Sequence, residues 1–155
     1  QLQSGRRRCE LLFRSRRTSR GASSPASLAE QVALTGRENR KLRVLVVEDE
    51  FLVALDVCDL LEQAGYEIIG PVPTIEAALA SLSAQLPAAC VLDVNLRGEH
   101  SVPVALRLRA EGVPFVLSSA YDAKMLDQYE AYRGVTNVGK PAPARLPLLI
   151  ADLLK

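Results

Sequence analysis

Two hydrophobic periods alternate along residues 42–155. Short aliphatic or β-branched runs occur at 42–47 (LRVLVV), 66–70 (YEIIG), 88–93 (AACVLD), 113–119 (VPFVLSS) and, most weakly, 135–139 (VTNVG). Runs of this kind without strict alternation suit strands buried on both faces of a parallel sheet. Between them, apolar residues recur at helical spacing. Residues 51–64 place Phe51, Leu52, Leu55, Cys58 and Leu61 on a broad apolar face, with Val53 and Leu60 one step off and Gly65 as a stop. Thr74 can cap a helix over 75–85 through Ile75, Ala78, Leu79 and Leu82. Further helices are predicted over 102–111, over 122–132 and from Arg145 onward. Strand and helix thus repeat five times, which predicts an α/β, doubly wound, five-stranded parallel sheet with helices on both faces and right-handed crossovers.

Charge divides the chain. Its formal net charge is only +1, but residues 1–43 carry eleven Lys/Arg against three Glu, and residues 44–155 carry eight Lys/Arg against fifteen acids. A basic arm of net +8 therefore precedes an acidic domain of net −7. The first 27 residues are rich in Arg and Ser, and too poor in apolar side chains to offset their chain entropy. Residues 1–41 are thus read as a basic disordered arm or linker, and residues 42–155 as the folded domain. The Arg clusters suit a solvated tail, or contact with nucleic acid, an acidic membrane surface or a targeting receptor. Cys9, Cys58 and Cys90 are odd in number and lack CxxC spacing, so neither a disulfide framework nor a zinc site is indicated. No apolar stretch reaches the roughly 18 residues a membrane span needs, and the expected location is cytoplasmic.

Candidate chemistry collects at the carboxyl ends of the strands, where open α/β sheets bind ligands. The first run ends in Glu48, Asp49 and Glu50, the third in Asp93, the fourth in Ser118 and Ser119, and the fifth in Lys140. Adjacent acids repel, and a hard divalent ion such as Mg²⁺ offsets that repulsion with carboxylate oxygens. Glu50 is better explained by the macrodipole of the following helix than as a ligand. His100, the sole histidine, is expected on an exposed loop; Arg97 is a solvated loop residue or a partner contact, and Cys90 is core.

VLVVEDE at 44–50, VLDVNLRGE at 91–99, LSSAY at 117–121 and Lys140-Pro141, with Asp93 lying 44 positions after Asp49, together resemble the receiver domain of response regulators in two-component signalling. The resemblance covers residues 43–155. It implies a flavodoxin-like (CheY-like) fold of strand order 2-1-3-4-5, with Asp93 phosphorylated by a histidine kinase or phosphotransfer protein. It further implies Mg²⁺ held by Asp49 and Asp93 directly, by Glu48 through water and by the carbonyl of Asn95. Ser119 falls on the family's switch hydroxyl and Lys140 on its Lys, with a cis Lys140-Pro141 bond. Such a protein is no enzyme beyond its own phosphorylation and dephosphorylation, and it signals through a downstream protein partner. The aromatic that the family usually places three residues before the Lys is Asn137 here. Tyr121, two residues after Ser119, is the substitute: LSSAY resembles the Phe-Ala-Thr-Gly-Tyr signature of single-domain stress-type receivers of α-proteobacteria, with the leading Phe and the Thr-Gly pair replaced.

Two other readings stand beside it. A haloacid-dehalogenase-type phosphatase also uses a strand-end Asp, a hydroxyl, a Lys and Mg²⁺, but needs an acid two residues after the nucleophile, where this chain has Asn95. A phosphorylation-independent scaffold would usually lack the Asp, an acid or the Lys, and all are present. No C-terminal DNA-binding domain is expected, since the chain ends soon after the fifth helix; a homodimer is compatible with the sequence.

Overall fold

The structure, a computed structural model, describes residues 40–155. The basic arm expected over 1–41 lies outside the described residues, apart from Arg40 and Lys41, which are exposed. In chain order the elements are β1 (Arg43–Val47), α1 (Phe51–Gln63), β2 (Glu67–Val72), α2 (Ile75–Ala84), β3 (Ala89–Asp93), the short hairpin strands β4 (Asn95–Leu96) and β5 (Glu99–His100), α3 (Val102–Ala110), β6 (Phe115–Ser118), α4 (Ala123–Leu126) and α5 (Leu146–Leu153).

The main sheet has the order β2-β1-β3-β6, every pair parallel. This is the expected 2-1-3-4 sequence of strands. The fifth position is thinner than predicted, because VTNVG meets β6 through a single parallel bridge between Leu117 and Asn137. Leu117 donates to the Thr136 carbonyl at 2.9 Å and accepts from Val138 at 2.8 Å. Gly139, at φ 83°, then turns the chain away before a ladder can grow.

Each central strand sends alternate side chains to opposite faces. Val44 and Val46 of β1, Val91 of β3 and Val116 of β6 pack with Val57 and Leu61 of α1 and with Leu146 and Ile150 of α5. Leu45, Leu92 and Leu117 face the other way, onto Leu82 of α2, Leu108 of α3 and Tyr132. Full burial of such a Leu or Val contributes roughly 1.5–3 kcal/mol, so these two layers hold the sheet's strand ends in place. Cys58 and Cys90 are free and buried within them.

Three local expectations are corrected. In α1 the buried stripe is Ala54, Val57, Cys58 and Leu61, whereas Phe51 and Leu52 are 76% and 72% exposed and Leu55 is 45% exposed. Two apolar stripes overlap in this helix, sharing Cys58 and Leu61, and the one that also holds Ala54 and Val57 faces the sheet. The helix expected over 122–132 ends at Leu126 and gives way to a 3₁₀ turn over Glu130–Tyr132. The tighter winding puts Tyr129 and Tyr132 on one side, with ring centroids 5.6 Å apart. Finally, β2 runs on through Pro71 to Val72 instead of stopping at Gly70. Pro71 is tolerated because β2 is an edge strand, and the Gly70–Pro71 bond, like Lys140–Pro141, is cis.

Candidate functional site

The carboxyl ends of β1, β3 and β6 open into one cleft of about 280 Å³, lined by Asp49, Glu50, Asp93, Asn95, Ser119, Ala120, Tyr121 and Lys140. Parallel strands in register bring this about. Val47 lies beside Leu92 and Asp93 beside Ser118, so the first residues beyond each ladder meet at one edge.

Asp93 closes β3 and is only 3% exposed. Its Oδ2 accepts from the Lys140 ammonium at 2.9 Å and its Oδ1 accepts from the Asn95 amide at 3.3 Å. Glu48 lies just beneath, 4% exposed, with its Oε1 accepting from the Glu50 amide at 3.0 Å. Lys140 Nζ stands 3.1 Å from Glu48 Oε1 and 3.0 Å from Oε2; the geometry favours hydrogen bonding to Oε1, which leaves Oε2 a purely ionic contact. The more exposed Glu50 carboxylate lies 3.3 Å from the same ammonium. Asp49 accepts from the backbone amide of Arg97 at 3.0 Å, so the turn after β3 is tied to the end of β1. Arg97 holds φ 54° there, and its following Gly98 donates to Asn95 Oδ1 at 2.8 Å.

The electrostatics follow from this crowding. Burial pushes the Glu48 carboxyl up to about 7, against the lowering effect of its hydrogen bonds from Glu50 and Lys140. Burial also opposes the charge on Lys140, but hydrogen bonds to Asp93 and Glu48 outweigh it and raise its pKa above the ordinary lysine value. The ammonium is thus fixed as a cation among carboxylates.

Glu48, Asp49 and Asp93 each offer a carboxylate oxygen, and these oxygens lie within 4.8 Å of one another. An all-oxygen, all-carboxylate set of this size fits a hard divalent cation.

Ser119 is buried beside the cleft, and its Oγ accepts from the Tyr121 amide at 3.1 Å. Ser118, equally buried, does not line the cleft and its hydroxyl has no partner. Tyr121 reaches across toward Asn95, whose Nδ2 lies 3.5 Å from the Tyr121 hydroxyl. His100 is exposed as expected, but is also hydrogen-bonded to the Tyr129 hydroxyl at 3.1 Å.

Three residues were not identified from sequence. Ser101, fully buried, donates to the main-chain carbonyl of Asp93 at 2.5 Å and meets the Tyr132 hydroxyl at 3.1 Å. Tyr132 is 1% exposed, and burial pushes its hydroxyl up to about 12. Asn137, noted only for what it replaces, makes four hydrogen bonds around the Ser119 loop. No local pattern marks these residues; a Ser before Val-Pro signals only a helix start.

No protein-family model matches the sequence. Among curated proteins, the chain is 36% identical over 92 residues to the sensory transduction protein LytT of Bacillus subtilis, covering 57% of this chain and 38% of that protein. It is 27% identical over 113 residues to the transcriptional regulatory protein PdtaR of Mycobacterium tuberculosis, covering 72% of this chain and 53% of that one. The chain therefore spans about half or less of the length of these curated relatives. Among solved structures, SdrG from Pseudomonas melonis, determined in its BeF3-activated conformation, is 34% identical with a TM-score of 0.62, covering 73% of this chain and 96% of SdrG. The receiver domain of PhyR from Erythrobacter litoralis shares the fold at 22% identity and a TM-score of 0.65, over 74% of this chain and 90% of that domain. With parallel strands in the expected order and near-complete coverage of a relative above 30% identity, the chain belongs to the receiver domains of response regulators.

Proposed function

We propose that this receiver accepts a phosphoryl group on Asp93 from a phosphohistidine of a histidine kinase or phosphotransfer protein, and signals through the protein contact that follows. The observation that carries this reading is the 2.9 Å contact between Lys140 Nζ and Asp93 Oδ2 at the floor of a cleft that also holds Glu48 and Asp49. An Asp93 carboxylate oxygen attacks phosphorus, the new O–P bond forms as the P–N bond breaks, and the electron pair leaves with the imidazole, which takes up a proton. Lys140 holds the attacking carboxylate in place and stays protonated, so it neutralises charge on the phosphoryl oxygens without competing as a base. Ser119 exchanges its bond from the Tyr121 amide for donation to a phosphoryl oxygen, which draws residues 119–121 toward the cleft. Glu48, Asp49 and Asp93, with the Asn95 carbonyl, would hold Mg²⁺, which supplies further neutralisation of the transferring group. Tyr121 carries the loop's movement to the surface beside His100 and Tyr129, where the downstream protein docks.

Among the described residues no helix is long and apolar enough to cross a membrane. The test is intact mass of the 155-residue chain after incubation with Mg²⁺ and acetyl phosphate. One phosphoryl adduct, dependent on Mg²⁺ and absent from Asp93→Ala, is expected. No adduct in either folded protein would overturn the reading in favour of a phosphorylation-independent scaffold, and rapid multiple turnover of the donor in favour of a phosphatase.

A further inference from the structure

The side chain of Asn137 is saturated by the two loops that flank the cleft. Its Oδ1 accepts from the backbone amides of Ser119 and Gly139, both at 3.1 Å. Its Nδ2 donates to the carbonyls of Ser119 at 3.1 Å and Tyr121 at 3.0 Å. An asparagine amide has two accepting and two donating positions, and all four are used here. The amide orientation follows from the partners: two N–H groups face its oxygen and two carbonyls face its nitrogen.

These bonds bring together parts of the chain that sequence keeps apart. Ser119 is gripped through both its amide and its carbonyl, and Tyr121 through its carbonyl. Gly139 is the residue before Lys140, the partner of Asp93. One side chain therefore ties the peptide that carries the Ser119 hydroxyl to the peptide that precedes the Lys140 ammonium. The edge strand cannot supply this link, since it makes only one bridge to β6.

We propose that Asn137 is a positioning residue for phosphoryl transfer, fixing Ser119 and Lys140 relative to each other so that both reach the phosphoryl group on Asp93. This rests on the reading of Asp93 as the phosphoacceptor. Asn137 touches neither the phosphoryl group nor the carboxylates; it acts through the two loops. Where an aromatic at this position would couple to the switch by occupying space, the amide couples to it by backbone hydrogen bonds.

The test uses the full chain with Asn137→Ala, which removes all four bonds, and Asn137→Asp, which keeps the shape and the accepting side but loses both donations. The rate of adduct formation is measured at saturating acetyl phosphate against Mg²⁺ concentration, with a thermal melt for each protein. The maximal rate is expected to fall at least tenfold in Asn137→Ala and by less in Asn137→Asp, while the Mg²⁺ concentration for half-maximal rate stays within twofold of wild type. Amide resonances of Ser119 and Gly139 should shift together on addition of beryllofluoride and Mg²⁺ in wild type and independently in Asn137→Asp, which provides a readout if the alanine variant fails to fold. A rate within twofold of wild type in both variants, or resonances that still move together in Asn137→Asp, would overturn the proposal. An unphosphorylatable wild type would instead remove the reading beneath it.

Discussion

The hydroxyl of Ser101 donates to the main-chain carbonyl of Asp93, eight residues before it, and is itself met by the hydroxyl of Tyr132. Both side chains are almost wholly buried, so the chain of two hydrogen bonds is shielded from water. Removing the middle member strands two buried polar groups, which costs more than the loss of one average bond. Ser101→Ala should therefore destabilise the domain by about 2 kcal/mol, and Tyr132→Phe, which leaves the Ser101–Asp93 bond intact, by about 1 kcal/mol. Urea unfolding of both variants provides the comparison; equal or negligible losses would show that the network is not structural.

Gly70 and Gly65 predict a contrast. Both have positive φ, 97° and 94°, but a Cβ on Gly70 would stand 2.8 Å from the Val46 carbonyl oxygen and from the Val72 amide nitrogen, while one on Gly65 meets nothing within 4 Å. Gly65→Ala should cost about 1 kcal/mol, from backbone conformation alone. Gly70→Ala adds a clash with backbone at the point where the β1–β2 register shifts, and should cost about 3 kcal/mol. Equal unfolding midpoints for the two variants would contradict this account of the β2 edge.

Glu48 makes the divalent-cation-free domain pH-sensitive. Its folded-state pKa of about 7 lies above the ordinary 4.5, so its favourable contribution is fully present below 4.5 and is lost as pH rises through 7. Glu48→Gln is neutral throughout. Its stability relative to wild type should rise with pH across that window, by on the order of 1 kcal/mol without Mg²⁺. Added Mg²⁺ should reverse the ranking if Glu48 helps to hold it, since a charged carboxylate attracts the cation, directly or through water, more strongly than a neutral amide does. Parallel pH–stability curves for the two proteins would contradict the assignment.

The sheet was legible because its central strands are buried on both faces, and such strands announce themselves as uninterrupted aliphatic runs. The strand ends were legible for a related reason: Glu48, Asp93 and Ser119 stand where such runs break, and the parallel order carries every break to the same edge. What the pattern could not decide was a choice between equals. In α1, Phe51 and Leu55 fit the helical period as well as Ala54 and Val57 do, and only the packing of the helix on the sheet buries the second pair. The helical period over 122–132 overruns the observed helix because periodicity does not distinguish an α-turn from the 3₁₀ turn that brings the Tyr129 and Tyr132 rings together at a tilt of 59°. Asn137 stood out only as a missing aromatic, since its four partners come from residues 16 to 18 positions before it and from the turn after it.

The loop contact between His100 and Tyr129 offers a reporter of switching. The Tyr129 ring lies against His100 at a tilt of 38° with centroids 4.9 Å apart, and Tyr121 lies 6.3 Å from the same ring. Drawing residues 119–121 toward the cleft should change the environment of the His100 ring. Its nuclear magnetic resonance signals should shift on addition of beryllofluoride and Mg²⁺, and should not shift in Asp93→Ala; an unchanged His100 in a phosphorylated wild type would place the moving surface elsewhere.

The central claim is that Asp93 itself carries the phosphoryl group, and borohydride trapping tests it most directly. The chain is phosphorylated with acetyl phosphate and Mg²⁺, reduced with sodium borohydride, digested and sequenced by mass spectrometry. Homoserine at position 93 is the predicted product. Homoserine at Asp49, or an unreduced phosphoryl group on His100 or Ser119, would contradict the account.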